Sequence, residues 1–145
     1  MTTPPRVDAG IVFALPIEAG RFGDRVQQAA RLEARGLVIH EGVLADRRVA
    51  CVVAGAGIDR AAKACRLLID GHRPRTLISA GFAGALVDDL DRGQVVGPRR
   101  AVRLGHEPIE LTGLETTPAT RSLTIVTVTE VVCSVSAKSQ ISRDA

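Results

Sequence analysis

The run Ala9-Gly10-Ile11-Val12-Phe13-Ala14-Leu15 constrains this chain more than any other stretch. It carries no charge and is bounded by Asp8 and Pro16. A short unbroken apolar run fits a strand covered on both faces, whereas a half-exposed strand would alternate apolar and polar residues. The run follows an acidic residue instead of a basic region, so it does not have the form of a signal peptide. Residues 1–8 ahead of it read as a flexible N-terminal tail. Pro16 suits the first turn of a helix, and Glu18 stands where a carboxylate favours the positive helix end. The pattern predicts a helix from Pro16 to about Ala34, with Phe22, Val26, Ala29, Ala30 and Leu32 inward and Gly23 as its weak point.

Further elements follow at regular intervals. Leu37-Val38-Ile39-His40 and Val49-Ala50-Cys51-Val52-Val53 read as two strands of a hairpin turning near Asp46-Arg47. Gly55-Ala56-Gly57 leads into a helix to about Asp70, with Ala61, Ala62, Cys65, Leu68 and Ile69 at helical spacing. Leu77-Ile78-Ser79-Ala80 is the next strand and runs into Gly81-Phe82-Ala83-Gly84-Ala85. Val95-Val96 and Ala101-Val102 are short extended pieces, and Leu123-Thr124-Ile125-Val126-Thr127-Val128 is a β-branched strand. Strands alternating with helices place the chain in the α/β class around a mixed sheet, as one domain over 9–145.

Composition narrows the function classes. The 145 residues are 46% hydrophobic and 24% charged, which excludes disorder, collagen-like repeats and disulfide scaffolds. Three Phe with no Trp or Tyr argue against a module that stacks single-stranded bases on exposed rings. The net charge of +3 is dispersed, with Arg interleaved among Asp and Glu, so no nucleic-acid partner is expected. The longest uncharged stretch, Thr76 to Val87, falls short of the roughly 20 residues of a membrane-spanning helix. No membrane partner is expected, and the cytoplasm is the expected compartment. Cys51, Cys65 and Cys133 form no metal or disulfide spacing; Cys51 and Cys133 read as buried thiols. No metal site and no cofactor are implied.

Three loops leave the carboxyl ends of the expected central strands: Leu15 to Glu18, Gly55 to Gly57, and Gly81 to Ala85. In open α/β sheets this edge is where ligands bind. Glu18 has two readings, a first-turn carboxylate stabilised by the helix or a general acid or base. Gly55-Ala56-Gly57 is either a phosphate-approaching turn or a tight strand-to-helix connection. A dinucleotide fingerprint would need a third glycine where Arg60 stands. In the third loop, small residues either leave room for a flat ligand or pack closely on a neighbouring strand.

Taken in order, Gly10-Ile11-Val12-Phe13-Ala14-Leu15-Pro16-Ile17-Glu18, Gly55-Ala56-Gly57 and Leu77-Ile78-Ser79-Ala80-Gly81-Phe82-Ala83-Gly84-Ala85-Leu86 carry a family resemblance, continued by Asp91-Arg92-Gly93-Gln94-Val95-Val96. Over residues 9 to 103 the chain resembles the N-terminal part of the purine nucleoside phosphorylase and nucleosidase superfamily. It is most similar to the hydrolytic branch of methylthioadenosine/S-adenosylhomocysteine nucleosidases, futalosine hydrolases and hopanoid-associated nucleosidases. The resemblance implies a three-layer nucleoside phosphorylase-like fold with a mixed central β-sheet flanked by helices. It implies cleavage of the N-glycosidic bond of a purine-type nucleoside, with Glu18 activating water. Ala14, Gly55, Ala56, Gly57, Gly81, Phe82, Ala83 and Gly84 would then line the substrate. The Gly-Asp loop with a downstream arginine, used for phosphate by phosphorylases of the superfamily, has no counterpart around Ala14 to Gly20, so water is the expected nucleophile.

Three departures from the family pattern carry expectations of their own. Phe82 stands where the third loop usually has a hydroxyl residue, and Ala85 where a second glycine is usual. No Met-Glu pair, the family's grip on the ribose hydroxyls, occurs in the sequence, and Asp144 fits neither that role nor that of the aspartate protonating the departing base. The chain is therefore expected to be C-terminally incomplete, with an apolar sheet edge that a homodimer partner would cover. An incomplete chain is expected to be inert in base release. The alternative to an enzyme is then a non-catalytic α/β nucleoside-binding or assembly domain.

Overall fold

The computed structural model describes residues 6–111, 120–128, 132 and 134–144. The proposed tail residues Met1–Pro5 and the thiol Cys133 lie outside them. The chain forms two compact units, Met1–Ala83 and Gly84–Ala145.

In the first unit the apolar run forms β1, Ala9–Phe13. It lies between β4 (Arg47–Val53) and β5 (Thr76–Ser79) and is parallel to both, with Phe13 opposite Val53 and Val12 opposite Ser79. With β2 (Gln27–Ala34) and β3 (Leu37–Leu44) the sheet order is β2-β3-β4-β1-β5. The pairs β2·β3 and β3·β4 are antiparallel, so the sheet is mixed as expected. Both faces of β1 are covered. Val12, Ala50 and Val52 pack with Ala64, Leu67 and Leu68 of α3 (Ile58–His72). On the opposite face, Ile11, Phe13 and Cys51 pack with Ala19 and Phe22. Those two residues belong to α1 (Pro16–Ala19) and α2 (Phe22–Arg25). Helices on both faces of one sheet make the three layers of an α/β unit.

The expected helix from Pro16 to Ala34 is not formed beyond its first turns. The chain breaks at Gly20, whose φ is +48°, takes the one-turn α2, and becomes extended at Val26. From Gln27 it is strand, although Gln, Ala, Arg, Leu and Glu favour helix intrinsically. Cross-strand pairing overrides that preference. Arg35 and Gly36, both with positive φ (52° and 74°), form a two-residue turn that lays β2 against β3, with Leu32 opposite Ile39. Leu32, Ala29 and Ala30 are exposed and do not form a helical inner face. The β3–β4 hairpin forms as expected, but it turns at Ala45-Asp46 (φ 46° and 61°), one residue before Asp46-Arg47.

In α3 the buried face is Ala64, Leu67, Leu68 and His72, and Ile69, expected inward, is 51% exposed. His72 ties the last turn to the sheet: its Nε2 lies 3.3 Å from Glu41 Oε2, and Arg48 Nη2 donates to Glu41 Oε1 at 2.7 Å. Val7 is 1% exposed and donates its N–H to the His72 carbonyl, so the folded unit already includes it.

In the second unit β6 (Arg100–Arg103) pairs antiparallel with β7 (Ile109–Glu110) and parallel with β8 (Thr124–Thr127), in the order β7-β6-β8. Val96 forms a single bridge to Arg121, and α4 runs over Val135–Asp144. Arg121 donates to the Asp89 backbone and carboxylate; its guanidinium holds the Asp89 carboxyl below its ordinary value. Among the described residues no helix is long and apolar enough to cross a membrane.

Candidate active site

The three adjacent parallel strands β4, β1 and β5 release their following loops at one edge of the first unit's sheet. Ala54 continues the ladder by donating to the Phe13 carbonyl (2.8 Å), and Ala80 does so to the Val12 carbonyl (3.0 Å). Beyond those two residues the chain leaves the sheet on both sides of β1.

Glu18 ties together the loops after β1 and β5. Pro16 fixes the start of α1, which places Glu18 at the third helical position, one turn above the end of β1. Its side chain folds back, so that Oε2 accepts from the N–H of Ala14 at 2.9 Å and of Leu15 at 2.8 Å. Glu18 therefore caps its own short helix, the reciprocal half of a capping box. Its other oxygen does something that capping does not need: Oε1 accepts from the N–H of Phe82 in the loop after β5, at 3.1 Å. Glu18 thus joins its own helix turn to the loop after β5, and its side chain is half-buried.

A carboxylate offers roughly four acceptor directions. Among the described residues three are taken by backbone N–H groups, which fixes the group in position and leaves one direction on Oε1. A polar O–H brought to that point would be held against a fixed acceptor.

The second loop lies on the same edge after β4. Gly55 has φ +86°, and a Cβ there would come within 2.6 Å of Arg60 Nη1, so the Arg60 side chain lies over this glycine. Gly57 (φ +115°) is the residue from which α3 starts, and Ala56 between them is exposed. Among the described residues no hydrogen bond links this loop to Glu18. Of the expected third-loop residues, Gly81, Phe82 and Ala83 belong to the first unit, and the first two meet Glu18. Gly84 belongs to the second unit, where a Cβ on it would lie 3.9 Å from Lys138 Nζ. The Phe82 ring is 74% exposed, and Ile17 (71%) and Leu15 (44%) are the other large apolar side chains exposed in these loops.

Sequence reasoning missed the amides of Leu15 and Phe82, because a backbone donor leaves no mark in residue identity. It also missed Arg60 as the cover of Gly55. The only signal there was an arginine where a phosphate-binding turn would have a glycine.

A sequence profile described as the Phosphorylase superfamily matches residues 8–134. The 5'-methylthioadenosine/S-adenosylhomocysteine nucleosidase of Staphylococcus aureus (strain JH9) is 31% identical over 87 residues, 60% of this chain and 38% of that protein. The chain thus spans about two fifths of the length of the curated relatives it matches. Among solved structures, the same nucleosidase from S. pneumoniae with a transition-state inhibitor superposes with a TM-score of 0.84 at 19% identity. That match covers 94% of this chain and 70% of the other. A futalosine hydrolase mutant of Helicobacter pylori gives 0.77 at 15% identity, over 97% and 72% of the two chains. At those identities the structures speak for the fold, and the profile speaks for the lineage: the chain belongs to the phosphorylase superfamily.

Proposed function

We propose that this chain hydrolyses the N-glycosidic bond of a purine-type nucleoside with Glu18 activating the attacking water, against the expectation of inertness raised by the missing Met-Glu pair. The observation that carries the reading is the fixed Glu18 carboxylate, bonded by Ala14, Leu15 and Phe82 and left with one acceptor direction on Oε1. A water donating to that oxygen is held at a set point beside the edge where the strands release their loops. General-base action on it follows the charge logic of glycoside cleavage. The water oxygen bonds to the anomeric carbon as the carbon–nitrogen bond breaks. The bonding pair leaves with the base, which takes up a proton from solvent, while Glu18 receives the proton of the water and returns it to solvent. The products are the free sugar and the free base, and the scheme uses no cofactor or metal.

Ala14, Gly55, Ala56, Gly57, Gly81, Phe82 and Ala83, all in the first unit, are the substrate-lining positions of this reading. It is supported by relatives named as nucleosidases and by a structural neighbour that carries a transition-state inhibitor. The lack of a disulfide spacing supports a reducing, cytoplasmic setting.

A second reading, a nucleoside-binding or assembly domain without turnover, is favoured by one feature. Phe82 puts an apolar, 74% exposed ring where the family pattern has a hydroxyl. One assay separates the two. Purified protein is incubated with adenine nucleosides in phosphate-free buffer and free base is quantified, beside size-exclusion chromatography and calorimetric nucleoside titration. Base release that disappears in Glu18→Gln supports hydrolysis. Nucleoside binding, or a folded oligomer, with no release supports the second reading and overturns the first.

A further inference from the structure

We propose that Gly81 is a positioning residue acting through Glu18: its missing Cβ leaves the space that the Glu18 carboxylate occupies. The inference rests on the proposed role of Glu18, but its geometry stands apart from that role. A glycine at a loop bend is usually explained by a left-handed backbone. That explanation fails here, because the φ of Gly81 lies outside the left-handed region, unlike that of Gly55 or Gly57. Any L-residue can adopt this backbone.

What a side chain meets is the carboxylate. A Cβ built on Gly81 would lie 2.6 Å from Glu18 Oε1, 2.9 Å from Cδ and 3.2 Å from Oε2. The three nearest heavy atoms thus all belong to one group, and no other part of the fold crowds the position more closely. The far end of an exposed glutamate would normally swing aside at little cost. This one is held by two N–H donors on Oε2 and one on Oε1, so it can yield only by giving up bonds. The bond on the crowded side is the one to Phe82. Gly81 and the Phe82 amide form a single seat, one residue supplying space and the next supplying the donor.

Two consequences follow. Gly81 is exposed and strain-free, so Gly81→Ala leaves the fold intact while displacing Oε1 from the Phe82 N–H. The effect must also depend on the length of residue 18. Aspartate at 18 withdraws the carboxylate by one methylene and vacates the space.

The experiment compares wild type, Gly81→Ala, Glu18→Asp and the double variant. One readout is the shift and hydrogen exchange of the Phe82, Ala14 and Leu15 amides in 1H–15N spectra; the other is steady-state base release. Gly81→Ala is expected to shift the Phe82 amide upfield and speed its exchange, with the unfolding midpoint little changed. It should lower kcat about 100-fold, the usual loss for a reacting group misplaced by about 1 Å, with KM little affected. Adding Gly81→Ala to Glu18→Asp should change neither readout appreciably. An unchanged Phe82 amide in Gly81→Ala, or losses that multiply in the double variant, would overturn the proposal. If wild-type protein releases no base while the Phe82 amide responds as described, the hydrolytic reading fails and the positioning role stands.

Discussion

At the scale of single residues, the structural contacts of Glu18 leave room for the role proposed for it. The same carboxylate closes the first turn of α1 through Leu15 and reaches the next loop through Phe82. The sequence marks the carboxylate, because Pro16 and Glu18 stand in the pattern of a helix start. It does not mark the partner, since the donor is a main-chain N–H whose position depends on strand register. Burial pushes the Cys51 thiol above its ordinary value, opposed weakly by the His40 backbone. Desolvation does the same, in a half-buried setting, at Cys65. A raised thiol value means less thiolate near neutral pH and slower alkylation. In folded protein at about pH 7.5, where an ordinary thiol is only slightly ionised, peptide mapping after iodoacetamide should find Cys65 modified well before Cys51, and Cys51 modified freely only in denaturant. Equal native rates would contradict the burial of Cys51.

Among the elements, the hairpin β2–β3 carries the sharpest difference between expectation and structure. Residues 27–34 have helical intrinsic preference, yet pairing with β3 makes them a strand. The available signal was Arg35-Gly36 directly before an apolar run, a two-residue turn whose glycine tolerates φ +74°. Gly42 on β3 shows how tightly this edge is built. A Cβ there would meet Val26 Cγ1 and lie 2.5 Å from the Gln27 carbonyl oxygen, beside the irregular register of Gln27 to Ala30. Gly42→Ala should therefore destabilise by about 1–3 kcal/mol, as overpacking does, read from the urea midpoint at constant m. A variant as stable as wild type would show that β2 yields freely.

For the molecule as a whole, the apolar run at Ala9–Phe13 predicts its own surroundings correctly. A strand with no polar face needs cover on both sides, and α3 on one face with α1 and α2 on the other provide it. That logic reaches β1, β4 and α3, where apolar pattern and burial coincide. It does not reach the division into two units, which depends on chain contacts that no local pattern encodes. Leu68, fully buried between α3 and the sheet, is the most direct probe of the first unit's core. Leu68→Ala should cost about 2–5 kcal/mol in equilibrium unfolding, and a cost near zero would mean that α3 is not docked as described.

Water activation by the carboxylate seated by Ala14, Leu15 and Phe82 is open to measurement. It is tested most directly by free-base release from adenine nucleosides in phosphate-free buffer, wild type against Glu18→Gln. Wild type is expected to release base without phosphate, and the variant to release none. No release, or release that survives the loss of the carboxylate, would contradict it.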